Sequence, residues 1–266
     1  MSGMFVHPTA VISREAELGR DVVVGPYVVI EGRVQVGPGC EIKSHAQLVG
    51  PLTMGRGNKV FAGAVLGESP QHLKYNGEPT ALEIGDENVF REYVTAHRGY
   101  AGKTVIGNHN YFMVNSHIGH DSIVGNRCIL ANGALVGGHC ILEDGVFLSG
   151  NCALHQHVRV GRLALLSGVS ATTKDIPPFV MQQYIDNVVG VNVVGMRRAG
   201  MSNEQIHAVR QAFKILFREG LPAPAAIKRL EDELGAMEVV QELISFLRGS
   251  KRGISAMRDR FRETAA

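Results

Sequence analysis

An apolar residue recurs every six positions over two long stretches of this chain of 266 residues. One stretch runs from Val6 to Leu66 and the other from Ile106 to Leu166, each with eleven apolar residues at that spacing. A six-residue period does not fit the 3.6-residue turn of an α-helix, but it fits short strands of period two that are separated by corners. The sequence therefore predicts many short strands joined by tight turns.

The simplest solid with this period is a triangular prism, in which three hexapeptides form one 18-residue coil. Successive coils then pair as parallel strands about 4.8 Å apart, and each coil buries its apolar residues only against its neighbours. The composition agrees, because 32 glycines favour turns, whereas no tryptophan and only 6% aromatic residues favour a narrow core. We therefore expect a mainly β protein built as a parallel β-helix.

The cysteines lie at the second inward position of the repeat, four residues after a repeated apolar residue. This placement predicts buried structural thiols, because free cysteine is among the most buried residue types. A disulfide framework is not expected in a chain of this length and class. The four positions are Cys40, Cys128, Cys140 and Cys152.

The repeat is interrupted twice and then ends. It breaks near Glu68, resumes at Ile84, breaks again near Arg98 and ends around Thr172. Beyond Pro177-Pro178 the apolar spacing becomes helical, beginning with a capping box formed by Ser202 and Gln205. We expect a β-helical domain over residues 1–182 and a small helical domain over residues 183–266.

The sequence holds no apolar run near the roughly 20 residues that cross a bilayer, so no transmembrane segment is expected. The first residues lack the pattern of a signal peptide, which favours a cytoplasmic location. Residues 174–266 carry 14 basic and 11 acidic side chains. This excess is modest and no nucleic-acid motif accompanies it, so a nucleic-acid partner is not expected.

Histidines cluster where the second stretch of the repeat begins. His120, Gly138 and Gln156 are spaced by 18 residues, so they should form one column along the prism. His139 and His155 flank this column, and His117 precedes His120 by three residues. The column predicts a cleft with several imidazoles beside a glycine.

This arrangement favours acyl transfer. An imidazole titrates near neutral pH and can take the proton of a hydroxyl group. The Gly138 N–H, unobstructed by a side chain, could then hold the oxyanion of a tetrahedral intermediate, and no serine or cysteine nucleophile is needed.

Two other interpretations stay open at this point. His117 and His120, with His97 or His139, could bind zinc, as in the γ-class carbonic anhydrases, which share this prism. The repeat could also be a purely structural or interaction solenoid.

A set of motifs in one order identifies a resemblance over essentially the whole chain. They resemble those of the acyl-[acyl-carrier-protein]:UDP-N-acetylglucosamine O-acyltransferase family of lipid A biosynthesis. The resemblance implies a left-handed β-helix, a homotrimer with sites between adjacent prisms, and no cofactor or metal. The motifs are His7-Pro8, Leu73–Tyr75 with Gly77–Thr80, His97–Gly99, His117–Asp121, Val124–Asn132, Gly138-His139, His155-Gln156 and Gly190–Asn192.

The resemblance also implies a role for individual residues. His120 matches the general base that activates the 3-hydroxyl of UDP-N-acetylglucosamine toward a 3-hydroxyacyl thioester on acyl carrier protein. Asp121 matches the partner of that base, and Gly138 matches the oxyanion donor. The expected substrate-binding residues are His72, Lys74, His97, His117, His139, His155, Gln156, Asn192 and Arg198.

Two positions bear on the choice of substrate. Gly168 matches the family's acyl-chain ruler, and a glycine there favours a chain of roughly 12–16 carbons over one of about 10. His72 stands where the family usually has aspartate before Leu73-Lys74. N-acylation of a 3-amino UDP-sugar therefore stays open as an alternative to O-acylation.

Overall fold

The structure is a computed structural model, and it describes residues 3–257. Within these residues, 28 short strands joined by turns lie between Phe5 and Val191, and four helices follow. The strands in chain order are β1 Phe5–Val6, β2 Val11–Ile12, β3 Glu17–Leu18, β4 Val23–Val24, β5 Val29–Glu31, β6 Val34–Val36, β7 Glu41–Ile42, β8 Gln47–Val49, β9 Leu52–Met54, β10 Lys59–Val60, β11 Val65–Glu68, β12 Ala81–Ile84, β13 Val89–Phe90, β14 Thr95–His97, β15 Lys103–Ile106, β16 Tyr111–Phe112, β17 His117–Ile118, β18 Ile123–Val124, β19 Ile129–Leu130, β20 Leu135–Val136, β21 Ile141–Leu142, β22 Phe147–Leu148, β23 Ala153–Leu154, β24 Arg159–Val160, β25 Leu165–Leu166, β26 Ala171–Thr172, β27 Val180–Gln183 and β28 Asn187–Val191.

These strands form the three faces of a prism. Sheet A contains β1 and every third strand to β25 together with β27 and β28, sheet B runs from β2 to β26, and sheet C from β3 to β24. Every pairing between coils is parallel, whereas β27 and β28 form an antiparallel hairpin at the end of sheet A. The predicted parallel β-helix is confirmed. We call its edges the A–B, B–C and C–A corners after the sheets that each joins.

The repeated apolar residues point into the prism. Side chains such as Ile30, Leu48, Phe112 and Leu130 are buried and form one continuous core along its axis. All four cysteines are buried free thiols, as predicted. The inward positions explain why each coil needs its neighbours, since a single coil encloses too little apolar surface to fold alone.

The corners differ from the simple expectation that glycine makes the turns. Each corner has two turn residues, and the second of them often has left-handed backbone although it is not glycine. Examples are Asp121, His139 and His157, with φ of 57°, 59° and 64°. The backbone N–H of His139 donates to the backbone carbonyl of His120, which lies one coil earlier, at 2.8 Å. This bonding between stacked corners helps stabilise a conformation that costs energy for most L-residues.

Both interruptions of the repeat leave the prism at the B–C corner. Pairing partners are 18 residues apart in regular coils, but Lys59 pairs with Val89 and Thr95 with His117. The first insertion therefore adds 12 residues and the second adds 4.

Across these coils, a buried ladder of Asn58, Asn88 and Asn110 takes the inward corner position that small apolar residues occupy in other coils. The side-chain oxygen of each asparagine accepts the backbone N–H of the equivalent residue in the next coil.

The helical region packs against one end of the prism. Its helices are α1 Val193–Arg198, α2 Asn203–Phe217, α3 Ala223–Leu234 and α4 Glu238–Gly249. The predicted capping box of Ser202 and Gln205 is present at the start of α2. Pro224 lies in the first turn of α3, where proline is tolerated because the N–H groups there have no partner within the helix.

The boundary proposed between residues 182 and 183 lies inside β27, so the hairpin links the two parts. The division into two domains stays a prediction, and its last residues, 258–266, lie outside the described part of the chain.

Within residues 3–257, none of the helices has the length and apolar character required to span a membrane.

Candidate active site

His120 and Gly138 occupy the first turn position of successive coils at the B–C corner, as the 18-residue spacing predicts. Asp121 and His139 occupy the second position of the same two turns. The two insertions leave the prism at this corner in the coils just before His120. The fold thus brings the insertions and the predicted base to one place.

His120 is buried and paired with its neighbour in sequence. Its Nδ1 lies 2.8 Å from Oδ2 of Asp121, and only 6% of the residue is exposed. This contact assigns the hydrogen to Nδ1, because a carboxylate oxygen can only accept. The lone pair of Nε2 is then free to accept a proton from a substrate.

Asp121 is held as a carboxylate by backbone amides of the second insertion. Its oxygens accept the N–H groups of Tyr100 at 2.7 Å and Gly102 at 2.9 Å. Burial works to raise the pKa of Asp121, but the hydrogen bonds from His120, Tyr100 and Ala101 outweigh it and leave that pKa below its usual value. The negative charge is therefore retained beside His120.

Gly138 lies directly against the His120 ring. A Cβ built on Gly138 would lie 2.7 Å from both Cε1 and Nε2 of His120, which is too close for any side chain. At the equivalent position of the C–A corner, the N–H of Asn126 donates toward the next coil, to Asp144. The N–H of Gly138 has no such acceptor among the described residues, so it is available to a ligand.

Further imidazoles surround this pair. His117 Nδ1 lies 2.8 Å from Thr95 Oγ1, and the His97 ring contacts the His117 ring edge to face at 4.9 Å. Burial, reinforced by His97 and His120, lowers the pKa of His117 to about 4. Burial also lowers the pKa values of His97 and His139, so these rings are neutral near pH 7 and can accept or donate hydrogen bonds.

The first insertion folds over the same site. The His72 ring stacks on Tyr100 at 3.8 Å and contacts the His120 ring edge to face at 5.4 Å. Tyr100 is also the residue whose N–H holds Asp121. His72 is therefore placed at the predicted site, although it is an imidazole where the family usually has a carboxylate.

Arg98 joins the two insertions. Its guanidinium donates to the carbonyl of Gly67 at 2.9 Å, to Ser69 Oγ at 3.0 Å and to Tyr75 Oη at 3.2 Å. It also lies over the Tyr75 ring, with 5.6 Å between the guanidinium carbon and the ring centroid. These contacts hold the segment that carries His72 and Lys74.

Three predicted residues lie near this corner but are exposed. Lys74 is at the outer part of the first insertion, and His155 and Gln156 occupy the corner of the last coil in the column. His155 Nδ1 lies 3.3 Å from a guanidinium nitrogen of Arg252, which comes from the helical region. Their side chains face solvent in the single chain, where a ligand or a second copy can reach them.

The other predicted residues lie at different corners. Gly168 is an exposed residue of the A–B corner, whereas Asn192 and Arg198 line a groove of about 760 Å³ beside α1 at the C–A corner. Asn192 is buried and caps α1, accepting the N–H of Gly195 at 2.9 Å. A single copy of the chain does not bring these residues to His120.

That groove has an apolar floor and a charged rim. Outward side chains of sheet A form the floor, which is made of Ile129, Phe147 and Leu165. The rim carries Arg127, Arg198 and Arg162, the last paired with Glu242, and it also includes Asp144. Such a surface suits a ligand that has both an acyl chain and a phosphate group.

Sequence reasoning missed several residues that build the site. Tyr100 and Arg98 lie in the second interruption, whose position was apparent from the break in the repeat, although their contacts were not. Thr104 Oγ1, which accepts the Asp121 N–H at 2.8 Å, gave no signal. His157 stacks on His139 at 4.5 Å, a contact that the six-residue pattern does not predict.

Comparisons with known proteins identify the family of this chain. A family model described as UDP-N-acetylglucosamine O-acyltransferase, domain 2, matches residues 175–255, and bacterial transferase hexapeptide repeats match residues 15–50 and 103–138. The acyl-[acyl-carrier-protein]--UDP-N-acetylglucosamine O-acyltransferase of Anaeromyxobacter sp. is 46% identical over 95% of this chain and 100% of its own length. This chain belongs to that family. It is accordingly an acyltransferase.

Solved structures of the family support the same assignment. The acyltransferase of Acinetobacter baumannii is 38% identical, with a TM-score of 0.89 over 96% of this chain and 100% of its own. That of Francisella novicida is 30% identical, with a TM-score of 0.91 over 97% and 95% of the two chains. This agreement confirms the expected left-handed β-helix followed by a helical region.

Proposed function

We propose that this acyltransferase moves a 3-hydroxyacyl chain from acyl carrier protein to the 3-hydroxyl of UDP-N-acetylglucosamine, the first step of lipid A biosynthesis. The observation that carries the chemistry is the buried His120–Asp121 pair lying against Gly138. The substrates are those named for relatives that are 46% identical over most of the chain. A cytoplasmic location remains a prediction.

The reaction would proceed by direct attack. Nε2 of His120 takes the proton of the sugar hydroxyl as its oxygen bonds to the thioester carbon, while Asp121 stabilises the resulting imidazolium. The Gly138 N–H donates to the oxyanion of the tetrahedral intermediate. When the carbon–sulfur bond breaks, the imidazolium returns its proton to the carrier's thiolate, which restores His120 for the next turnover.

The buried imidazoles would bind the sugar. His97 and His117 are neutral near pH 7, and the Nδ1 of His97 is buried without a hydrogen-bond partner among the described residues. An unpartnered buried polar atom is costly, so a sugar hydroxyl that reached it would gain a full hydrogen bond. His72 and His139 complete the wall around the acceptor, and Lys74, His155 and Gln156 lie at its outer edge.

A homotrimer would complete the site. The residues that suit the nucleotide and the acyl chain lie at the C–A corner and on sheet A, on another part of the prism from His120. If the B–C corner of one copy faces the groove on sheet A of the next copy, the base, the nucleotide site and the acyl groove come together. Gly168 follows Leu165 of the groove floor by three residues, at the A–B corner, where the absence of a side chain would leave room for a long acyl chain.

The test is a competition assay read by mass spectrometry. The protein receives UDP-N-acetylglucosamine and its 3-amino analogue together with 3-hydroxyacyl carrier proteins of about 10 to 16 carbons. We expect an ester on the ordinary sugar, formed fastest with the longer chains. The His120→Gln variant, assayed in parallel, is expected to lose roughly 100- to 10,000-fold in rate.

Each other outcome has a clear meaning. An amide on the amino sugar would overturn O-acylation and assign His72 a role in choosing the acceptor. Normal turnover by His120→Gln would overturn the base assignment. No product from either sugar would overturn the proposed reaction and favour the metal-dependent hydratase reading instead.

A further inference from the structure

We infer that the B–C corner also binds a zinc ion, through His120, Asp121 and His139, and that the bound ion switches the enzyme off. The ligand atoms of these three side chains lie within 4.8 Å of one another. Zinc binding itself does not depend on the proposed reaction, whereas inhibition by zinc rests on it. The inference concerns an inhibitory ion, and the acyl transfer described above needs no metal.

The three ligand atoms already converge. Oδ2 of Asp121 lies 2.8 Å from His120 Nδ1 and 3.9 Å from His139 Nε2. Tetrahedral zinc holds nitrogen and oxygen ligands at about 2.0 Å, which places the ligand atoms roughly 3.3 Å from each other. Side-chain movements of about 1 Å would therefore close this cluster around the ion.

The surroundings of the cluster match those of protein zinc sites. The backbone N–H groups of Tyr100 and Gly102 orient the Asp121 carboxylate, and the parallel His157 ring supports His139. Such outer contacts raise metal affinity by holding the ligands in place. The side chains of His120 and Asp121 are 7% and 9% exposed, whereas that of His139, at 31%, leaves one side open for entry.

The donor set also favours a divalent cation here. The Asp121 carboxylate, oriented by the N–H groups of Tyr100 and Gly102, lies 3.9 Å from Nε2 of the His139 imidazole. The cysteines do not compete, since burial raises the pKa values of Cys128, Cys140 and Cys152 to about 12 and keeps them as thiols. Imidazole ligands with a carboxylate favour zinc over magnesium, which prefers six oxygens.

Inhibition would follow from the tautomer of His120. Zinc at Nδ1 replaces the hydrogen that this nitrogen donates to Asp121, so the remaining ring hydrogen moves to Nε2. No net proton is lost, but Nε2 no longer has the lone pair that accepts the substrate's proton. The ion would therefore block the base.

Equilibrium dialysis of the full-length protein against zinc chloride, without substrate, tests the site. We expect one zinc ion per chain and no retention of magnesium under the same conditions. The His139→Gln variant removes a ligand and should bind zinc at least about 10-fold more weakly. The His109→Gln variant is the matched control, because His109 is exposed at the C–A corner and should leave the affinity unchanged.

Retention of zinc by His139→Gln at the parent affinity, or no stoichiometric zinc on the parent protein, would overturn the inference. Inhibition is measured separately, as the loss of acyl transfer with added zinc and its recovery with a chelator. Zinc that binds at the expected ratio without slowing turnover would overturn the tautomer argument. A protein that binds zinc but has no transferase activity at the outset would instead count against the proposed function.

Discussion

At the scale of single residues, the close approach of Gly138 to the His120 ring is the tightest constraint on the site. Any side chain at residue 138 would collide with Nε2 and Cε1. The ring would then turn away from both Asp121 and the acceptor. Glycine at residue 138 therefore serves two purposes: it leaves space for the His120 ring, and it leaves the N–H accessible to the proposed oxyanion.

We expect Gly138→Ala to lower kcat by about 100-fold or more, because small misplacements of a base have effects of that size. Steady-state kinetics of the full-length protein measure this. Gly150→Ala is the matched control, since Gly150 occupies the same turn position at the A–B corner and its Cβ would meet nothing nearer than 3.5 Å. Equal loss in both variants would show a general effect on the β-helix instead.

At the scale of elements, the two insertions act as one unit. From within the second insertion, Arg98 binds Ser69 and Tyr75 of the first insertion and Gly67 of the strand β11 that precedes it, and Tyr100 stacks on His72. The second insertion also supplies the amides that hold Asp121. Arg98 therefore helps to position the sugar-binding side through Gly67, Ser69 and Tyr75 and not through a hydrogen bond to the base.

Replacing Arg98 should consequently affect binding more than chemistry. Arg98→Lys keeps the charge but cannot reproduce the fork of hydrogen bonds. We expect KM for the sugar nucleotide to rise roughly 10-fold while kcat changes little. Arg91→Lys is the control, because Arg91 pairs with Glu92 and Tyr111 at the A–B corner. A fall in kcat with unchanged KM would contradict this positioning role.

At the scale of the whole molecule, one copy leaves its predicted site residues on separate corners. Large side chains also stay exposed along the A–B corner, including Tyr27, Tyr93 and Val169, the last at 82%. Rows of exposed apolar residues commonly mark interfaces. Both observations favour an assembly in which neighbouring copies share each site.

Subunit mixing tests the shared site. His120→Gln removes the base, and Arg198→Ala changes the groove at the C–A corner, so each variant alone should have low activity. In mixed trimers with equal proportions, about a quarter of the sites should receive intact residues from both neighbours and regain activity. Verified mixed trimers without regained activity would show that both residues serve the site of a single copy.

Sequence and structure agree best where the repeat is regular. The six-residue period predicts the strands, and the 18-residue coil correctly places Gly138 against His120, because strand pairing leaves no freedom of register in a regular coil. The period does not reveal that Asp121, His139 and His157 adopt left-handed backbone, since bonds between stacked corners stabilise it. Nor did it predict the short helix α1 that lines the groove.

The sequence by itself determined the prism, its inward-facing thiols and the cluster of histidines at one corner, because each follows from a local period repeated along the chain. Only the tertiary structure decided how His72, Arg98 and Tyr100 come together over that corner. Insertions of 12 and 4 residues change the local register, and their conformation depends on contacts with each other and with neighbouring coils. Such contacts between distant positions have no period, so the sequence pattern carries no record of them.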